Sequence, residues 1–166
     1  MAVVKNTLGK YKKFYKNLQG AEDLEAIIGF LGNEKNARDQ GGQTNLEIAY
    51  QHTFGVPSKN LPKRSPFIGF KMKDKTQEIK DVVLSSLKQS LSKGSLTQEQ
   101  LTLALKRGGL AGENLIDETI ETKGFGTYAP LKQSTIDRKS QNKDKILIET
   151  GQLKDSRVSK VIKKTI

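Results

Sequence analysis

The chain has no cysteine, which excludes disulfides and thiolate metal sites. It has a single histidine, His52, too few for the usual ligand set of a structural or catalytic zinc. No apolar run approaches membrane-spanning length, and the N-terminus lacks the apolar core of a secretory signal. The expected compartment is therefore a cytoplasm, or a particle assembled there. Apolar residues are also scarce, at 34% of 166 residues. That fraction predicts a thin core with long polar excursions, or a subunit that completes its burial against neighbours. Clear apolar periodicity in several segments excludes full disorder. The organisation expected is a basic arm over residues 1–20 followed by one α+β domain over residues 21–166.

Acidic residues are the other shortage. Lys and Arg number 29 against 18 Asp and Glu, for a net charge of +11. Such an excess points to a polyanionic neighbour, nucleic acid or an acidic protein surface, or else to a solvated basic surface that keeps subunits soluble. The charge is segmented. Residues 1–20, 59–93 and the final forty-odd are basic, whereas 21–50 and 95–122 are acidic on balance. Blocks of this kind suit subunits meeting side by side, and equally an ordinary surface with chance clustering.

The stretch Ile146-Leu147-Ile148-Glu149-Thr150-Gly151-Gln152-Leu153-Lys154-Asp155-Ser156 organises the reading. Three apolar residues predict a short buried strand, Thr150 offers a helix cap, Gly151 permits a sharp turn, and Leu153 points back to the core. A second strand is expected over residues 157–162. Further upstream, Leu8, Tyr11, Phe14, Tyr15 and Leu18 recur at helical steps beside Lys10, Lys12, Lys13 and Lys16. This basic amphipathic helix suits an arm on nucleic acid or on a neighbouring subunit, or a terminal helix packed on its own core. Residues 22–32 alternate with period two and predict a strand mostly buried on both faces.

Thr44 and Glu47 form a capping box, so a helix should follow with Leu46, Ala49, Tyr50 and Phe54 inside, ended by Gly55 and Pro57. Phe67-Ile68-Gly69-Phe70, straight after Pro66, predicts a short strand or extended anchor. Ile79, Val83, Leu87 and Leu91 set a long helix over residues 71–93. Thr97 and Gln100 make a second capping box, stapled by Leu96 and Leu101. The helix that follows carries Gly108, Gly109 and Gly112, each unfavourable by about 1 kcal/mol in a helix interior. They predict a kink, a break or a close backbone contact. Residues 131–139 read as a short helical turn.

Catalytic chemistry does not assemble. His52 stands without a nucleophile motif, and a lone histidine is commonly a packing residue. Glu22-Asp23 and Asp117-Glu118 are adjacent in sequence, do not share a helix face, and are expected to be solvated. Gly108-Gly109-Leu110-Ala111-Gly112 lacks the lysine and spacing of a phosphate loop. Neither zinc-finger spacing nor a helix-turn-helix is present. What remains is a binding or structural protein.

From Leu24 onward the order of motifs resembles the tail-completion, or head–tail joining, proteins of tailed bacteriophages. Ile48-Ala49-Tyr50-Gln51-His52-Thr53-Phe54-Gly55 matches their Ala-Tyr-x-x-Glu-Phe-Gly helix end, with Thr53 where glutamate is usual. Leu61-Pro62-Lys63-Arg64-Ser65-Pro66-Phe67-Ile68 matches an Ile-Pro-x-Arg-Pro-Phe pattern with Ser65 inserted. Pro130-Leu131-Lys132-Gln133-Ser134-Thr135-Ile136-Asp137-Arg138-Lys139 and Leu147-Ile148-Glu149-Thr150-Gly151-Gln152-Leu153-Lys154-Asp155-Ser156 follow as the family's last two signatures.

The resemblance implies a small, curved, mainly antiparallel sheet with two or three helices packed on it, in addition to the N-terminal basic helix. It also implies a virion structural protein without enzymatic activity, cofactor or metal. Such a protein works at the neck of the particle as a ring, expected to be hexameric. Its partners would be further copies of itself, head-side adaptor or connector proteins, tail terminator or tail-tube proteins, and the genomic DNA of the channel without base recognition. Phe54, Gly55, Arg64, Pro66 and Phe67 are the candidate subunit-interface residues. Thr150, Gly151, Leu153 and Ser156 form the structural turn, and Lys10, Lys12, Lys13 and Lys16 face DNA or a partner. The alternative is a free, non-specific nucleic-acid-binding protein using that basic helix.

Overall fold

In a computed structural model the chain is an α+β protein dominated by helix. The structure describes residues 12, 15, 16, 23–31, 42–93 and 96–164. Its elements run β1 (Leu24–Gly29), α1 (Asn45–Phe54), 3-10 turns at Pro57–Lys59 and Ile68–Lys71, α2 (Lys73–Ser92), α3 (Gln98–Glu121), α4 (Gln133–Arg138), α5 (Gln152–Asp155) and β2 (Val158–Lys163). Among the described residues the sheet has two strands, β1 paired antiparallel with β2. The amide of Lys164 donates to the Asp23 carbonyl where the pair begins.

The chain divides into two compact units. The first comprises Met1–Ile27, Gln77–Ala111 and Ser159–Ile166, and the second Ile28–Thr76 and Gly112–Val158. In the first unit, Leu96, Leu101 and Ala104 are buried. The Thr97–Gln100 capping box forms as the sequence predicts: the Thr97 amide donates to Gln100 Oε1 at 2.8 Å, and the Gln100 amide to Thr97 Oγ1 at 3.2 Å. The three glycines do not break α3. A Cβ on Gly108 would lie 2.5 Å from Val83 Cγ2, and one on Gly109 would lie 2.6 Å from Ser159 Oγ. Close packing against side chains offsets the intrinsic cost of glycine and keeps the helix continuous.

In the second unit the core is Phe30, Ala49, Ile116, Ile120 and Leu153, with Ile28, Phe67 and Phe70 packed against it. Gly112 belongs here, where an added methyl would overlap Ile28 Cδ1. The Phe67 ring stands edge-on to Phe30 at 5.7 Å and lies 6.4 Å from Phe70. That packing explains why Ile68–Lys71 form a 3-10 turn instead of the expected strand or extended anchor: the tight turn lets both rings reach one core, whereas on a strand residues three apart would point to opposite faces.

Three further expectations are corrected. The helix α1 is capped by Thr44 and Glu47 as expected, but its inner face carries Asn45, Ala49 and His52. Leu46, Tyr50 and Phe54 face outward, 42%, 65% and 57% exposed. Strand β1 is not covered on both faces, since Glu25 and Ile27 are exposed in alternation with half-buried neighbours. Residues 146–148 form no strand. Their apolar side chains are used in a wrapped loop in which Leu147 takes a positive φ of 61°, outside any strand geometry. The predicted final strand, by contrast, is present as β2.

Candidate functional site

The site is a groove of about 920 Å³ in the second unit. Segments far apart in sequence build it: α1 and the loop after it, the turn that leads into α4, and residues 145–153. Those are the four segments that carry the motif pattern.

Two cations hold the walls together from inside. Arg64 is buried, and its Nε donates to the Ala129 carbonyl at 2.9 Å while Nη2 donates to the Pro130 carbonyl at 2.8 Å. The planar fork of a guanidinium suits two adjacent carbonyls. Arg64 also donates its amide to the His52 carbonyl at 2.7 Å, which ties the loop back to α1. Lys139 acts similarly on the last wall. Its Nζ donates to the carbonyls of Asn142 and Lys145 at 2.6 Å each and of Ile148 at 2.7 Å. Asn142 Nδ2 takes the Glu149 carbonyl at 2.7 Å. These side-chain donors satisfy the carbonyls of Asn142, Lys145, Ile148 and Glu149 and so pin the irregular path of residues 146–148 at both ends.

His52 lines the groove and is largely buried. Burial first, and the Arg64 charge second, push its pKa down to about 4. The imidazole is therefore neutral at pH 7 and cannot serve as a cationic contact. Its Nδ1 is buried without a hydrogen-bond partner among the described residues. Tyr128, just before the lining residue Ala129, donates its hydroxyl to the Ser65 carbonyl at 2.6 Å, and burial pushes that phenol well above its ordinary range.

The final turn is built differently from the expectation. Gly151, at φ 89°, is the N-cap of α5, and Thr150 Oγ1 receives only a long 3.4 Å contact from the Gln152 amide. A left-handed residue is needed there, and glycine accepts it without strain. Leu153 is buried as expected, and Ser156 is buried with its hydroxyl donating to the Leu153 carbonyl at 2.8 Å. Beside this turn Arg157 pairs with Asp117 at 2.6 Å, and Lys154 with Glu121. Asp117 is thus not the solvated acid its neighbours in sequence suggest. Burial raises its pKa, while the Arg157 and Lys154 charges oppose the rise.

Of the five expected interface residues, Phe54 is exposed and stacks on Tyr50 with ring centroids 4.7 Å apart. Gly55 terminates α1 at φ 74°. Arg64 and Pro66 are buried within the chain and Phe67 is half-buried against Phe30; of these three, Arg64 lines the groove. Lys12 and Lys16 are helical and exposed, whereas Lys10 and Lys13 lie outside the described residues. The groove's own exposed cations, Lys59, Lys132, Arg138 and Lys145, were not singled out as a group by the sequence. Their signal was the clustering of lysine and arginine around α4, which acquires meaning only once Lys59 is brought across from another segment. No protein-family model, curated protein or solved structure matches this chain.

Proposed function

We propose that this chain is a structural subunit of a tailed-phage virion, a head–tail connector or tail-completion protein that works as an oligomeric ring at the neck. The observation that carries the reading is convergence. The four motif segments, separated by up to about a hundred residues, wall a single groove and are tied together by Arg64 and Lys139. Chance matches to short motifs would have no reason to meet. On this reading the β1–β2 pair is the subunit's share of the family's curved antiparallel sheet.

Uncovered apolar surface supports an assembling subunit. Leu46, Tyr50 and Phe54 form one outward stripe on α1, and Leu103 and Leu110 are 46% and 57% exposed on α3. Apolar surface left in rows, as on α1, marks interaction faces in soluble proteins. In this arrangement the ring meets head-side adaptor proteins above, tail proteins below and genomic DNA in its channel.

Electron microscopy tests the reading. The purified chain, or the neck of virions that contain it, should show a symmetric ring. A stable monomer absent from particles removes the proposal.

A further inference from the structure

We propose that the groove binds an extended acidic segment of a partner protein, with carboxylates on its rim and aliphatic side chains on its floor. This goes beyond the virion reading and does not depend on it.

The rim supplies more positive charge than the carboxylates near it. Arg64 and Lys139 are already engaged by backbone carbonyls. Lys59, Lys132, Arg138 and Lys145 are exposed and form no salt bridge among the described residues. The one carboxylate in the lining, Glu149, receives the amide and hydroxyl of Ser140. The floor is apolar, with Ile48, Leu61, Leu131, Leu147 and Leu153.

The loop adds a third demand. The amides of residues 146–151 donate to no acceptor among the described residues, whereas the carbonyls of Lys145, Ile148 and Glu149 are occupied. Such a wall offers more open donors than open acceptors. An extended peptide brings backbone carbonyls and carboxylates to it, and every second side chain to the floor.

Nucleic acid fits less well. The lining has no Phe, Tyr or Trp and its one aromatic ring, His52, is largely buried, so bases find no open stacking platform, and a phosphate backbone leaves the apolar floor wet. Another copy of this chain fits less well too. Its stretch of mixed acids and aliphatics, Asp23-Leu24-Glu25-Ala26-Ile27, is already committed to pairing with β2.

Fluorescence anisotropy on the full chain tests the inference with a labelled peptide alternating glutamate and valine. Saturable binding is expected, weakened about tenfold or more in Lys132→Glu/Arg138→Glu, which removes two attractive charges and adds two repulsive ones. Both positions are exposed, and circular dichroism confirms that the variant folds. A glutamate–serine peptide should bind more weakly and a lysine–valine peptide not at all. A single-stranded oligonucleotide should not displace the peptide. Absence of glutamate–valine binding, equal binding of the serine peptide, displacement by the oligonucleotide, or a change of oligomeric state in the double variant overturns the proposal. A ring in micrographs without peptide binding removes this inference and leaves the virion reading standing.

Discussion

Arg64 Nη2 lies 2.8 Å from the Pro130 carbonyl oxygen, across 66 residues of sequence. Together with the Ala129 contact it fixes the loop after α1 to the turn before α4. Arg64→Ala leaves two carbonyls without their charged donor, so it should destabilise the chain by about 2–4 kcal/mol. Arg64→Lys can reach only one of them and should recover less than half. Urea midpoints of the three proteins measure this, and a full rescue by lysine would show that the fork geometry is irrelevant.

His52 predicts an acid-sensitive fold. Its pKa is about 4 in the folded chain against an ordinary 6.5. Between those values the unfolded chain binds more protons, so stability falls as pH falls from 6.5 toward 4. Because the ring keeps some solvent contact, the loss is of order 2 kcal/mol. The carboxylates also titrate at the low end, so the quantity to measure is the difference between wild type and His52→Asn in urea melts across that window. Parallel curves would show that His52 charges freely when folded.

Gly112→Ala should destabilise, against the usual gain of about 1 kcal/mol for alanine over glycine in a helix. The added methyl overlaps Ile28, and crowding of this sort costs about 1–3 kcal/mol. Pairing it with Ile28→Val removes the overlapping carbon and should return part of the loss. Thermal melts of the single and double variants decide it.

Lys139→Met should loosen residues 140–149 selectively. Three carbonyls lose a charged donor, while the apolar stem is kept. Limited proteolysis should cut this loop at least several times faster, with little change in the helical signal. An unchanged cleavage pattern would mean that the apolar side chains alone hold the loop.

Phe54→Ser with Tyr50→Ser should leave the melting temperature nearly unchanged, because both rings are more than half exposed. If the α1 stripe is a subunit contact, the pair of substitutions should shift the chain toward monomer in analytical ultracentrifugation.

The local grammar of the chain was legible without coordinates. Both capping boxes and the helix stop at Gly55 depend on residues a few positions apart, and short-range hydrogen bonding decides them. What the tertiary structure decided was the use made of apolar runs. Residues 146–148 read as a strand because of their composition, yet Leu147 takes a positive φ while Lys139 and Asn142 hold the carbonyls of Ile148 and Glu149. The inner face of α1 is set by distant partners: Ala49 joins a core with Phe30, Ile116, Ile120 and Leu153, and His52 lines the groove, which leaves Tyr50 and Phe54 outside. The groove itself was out of reach for the same reason: a site made by distant segments exists only after long-range packing brings them together, and no local pattern records which side chains will meet.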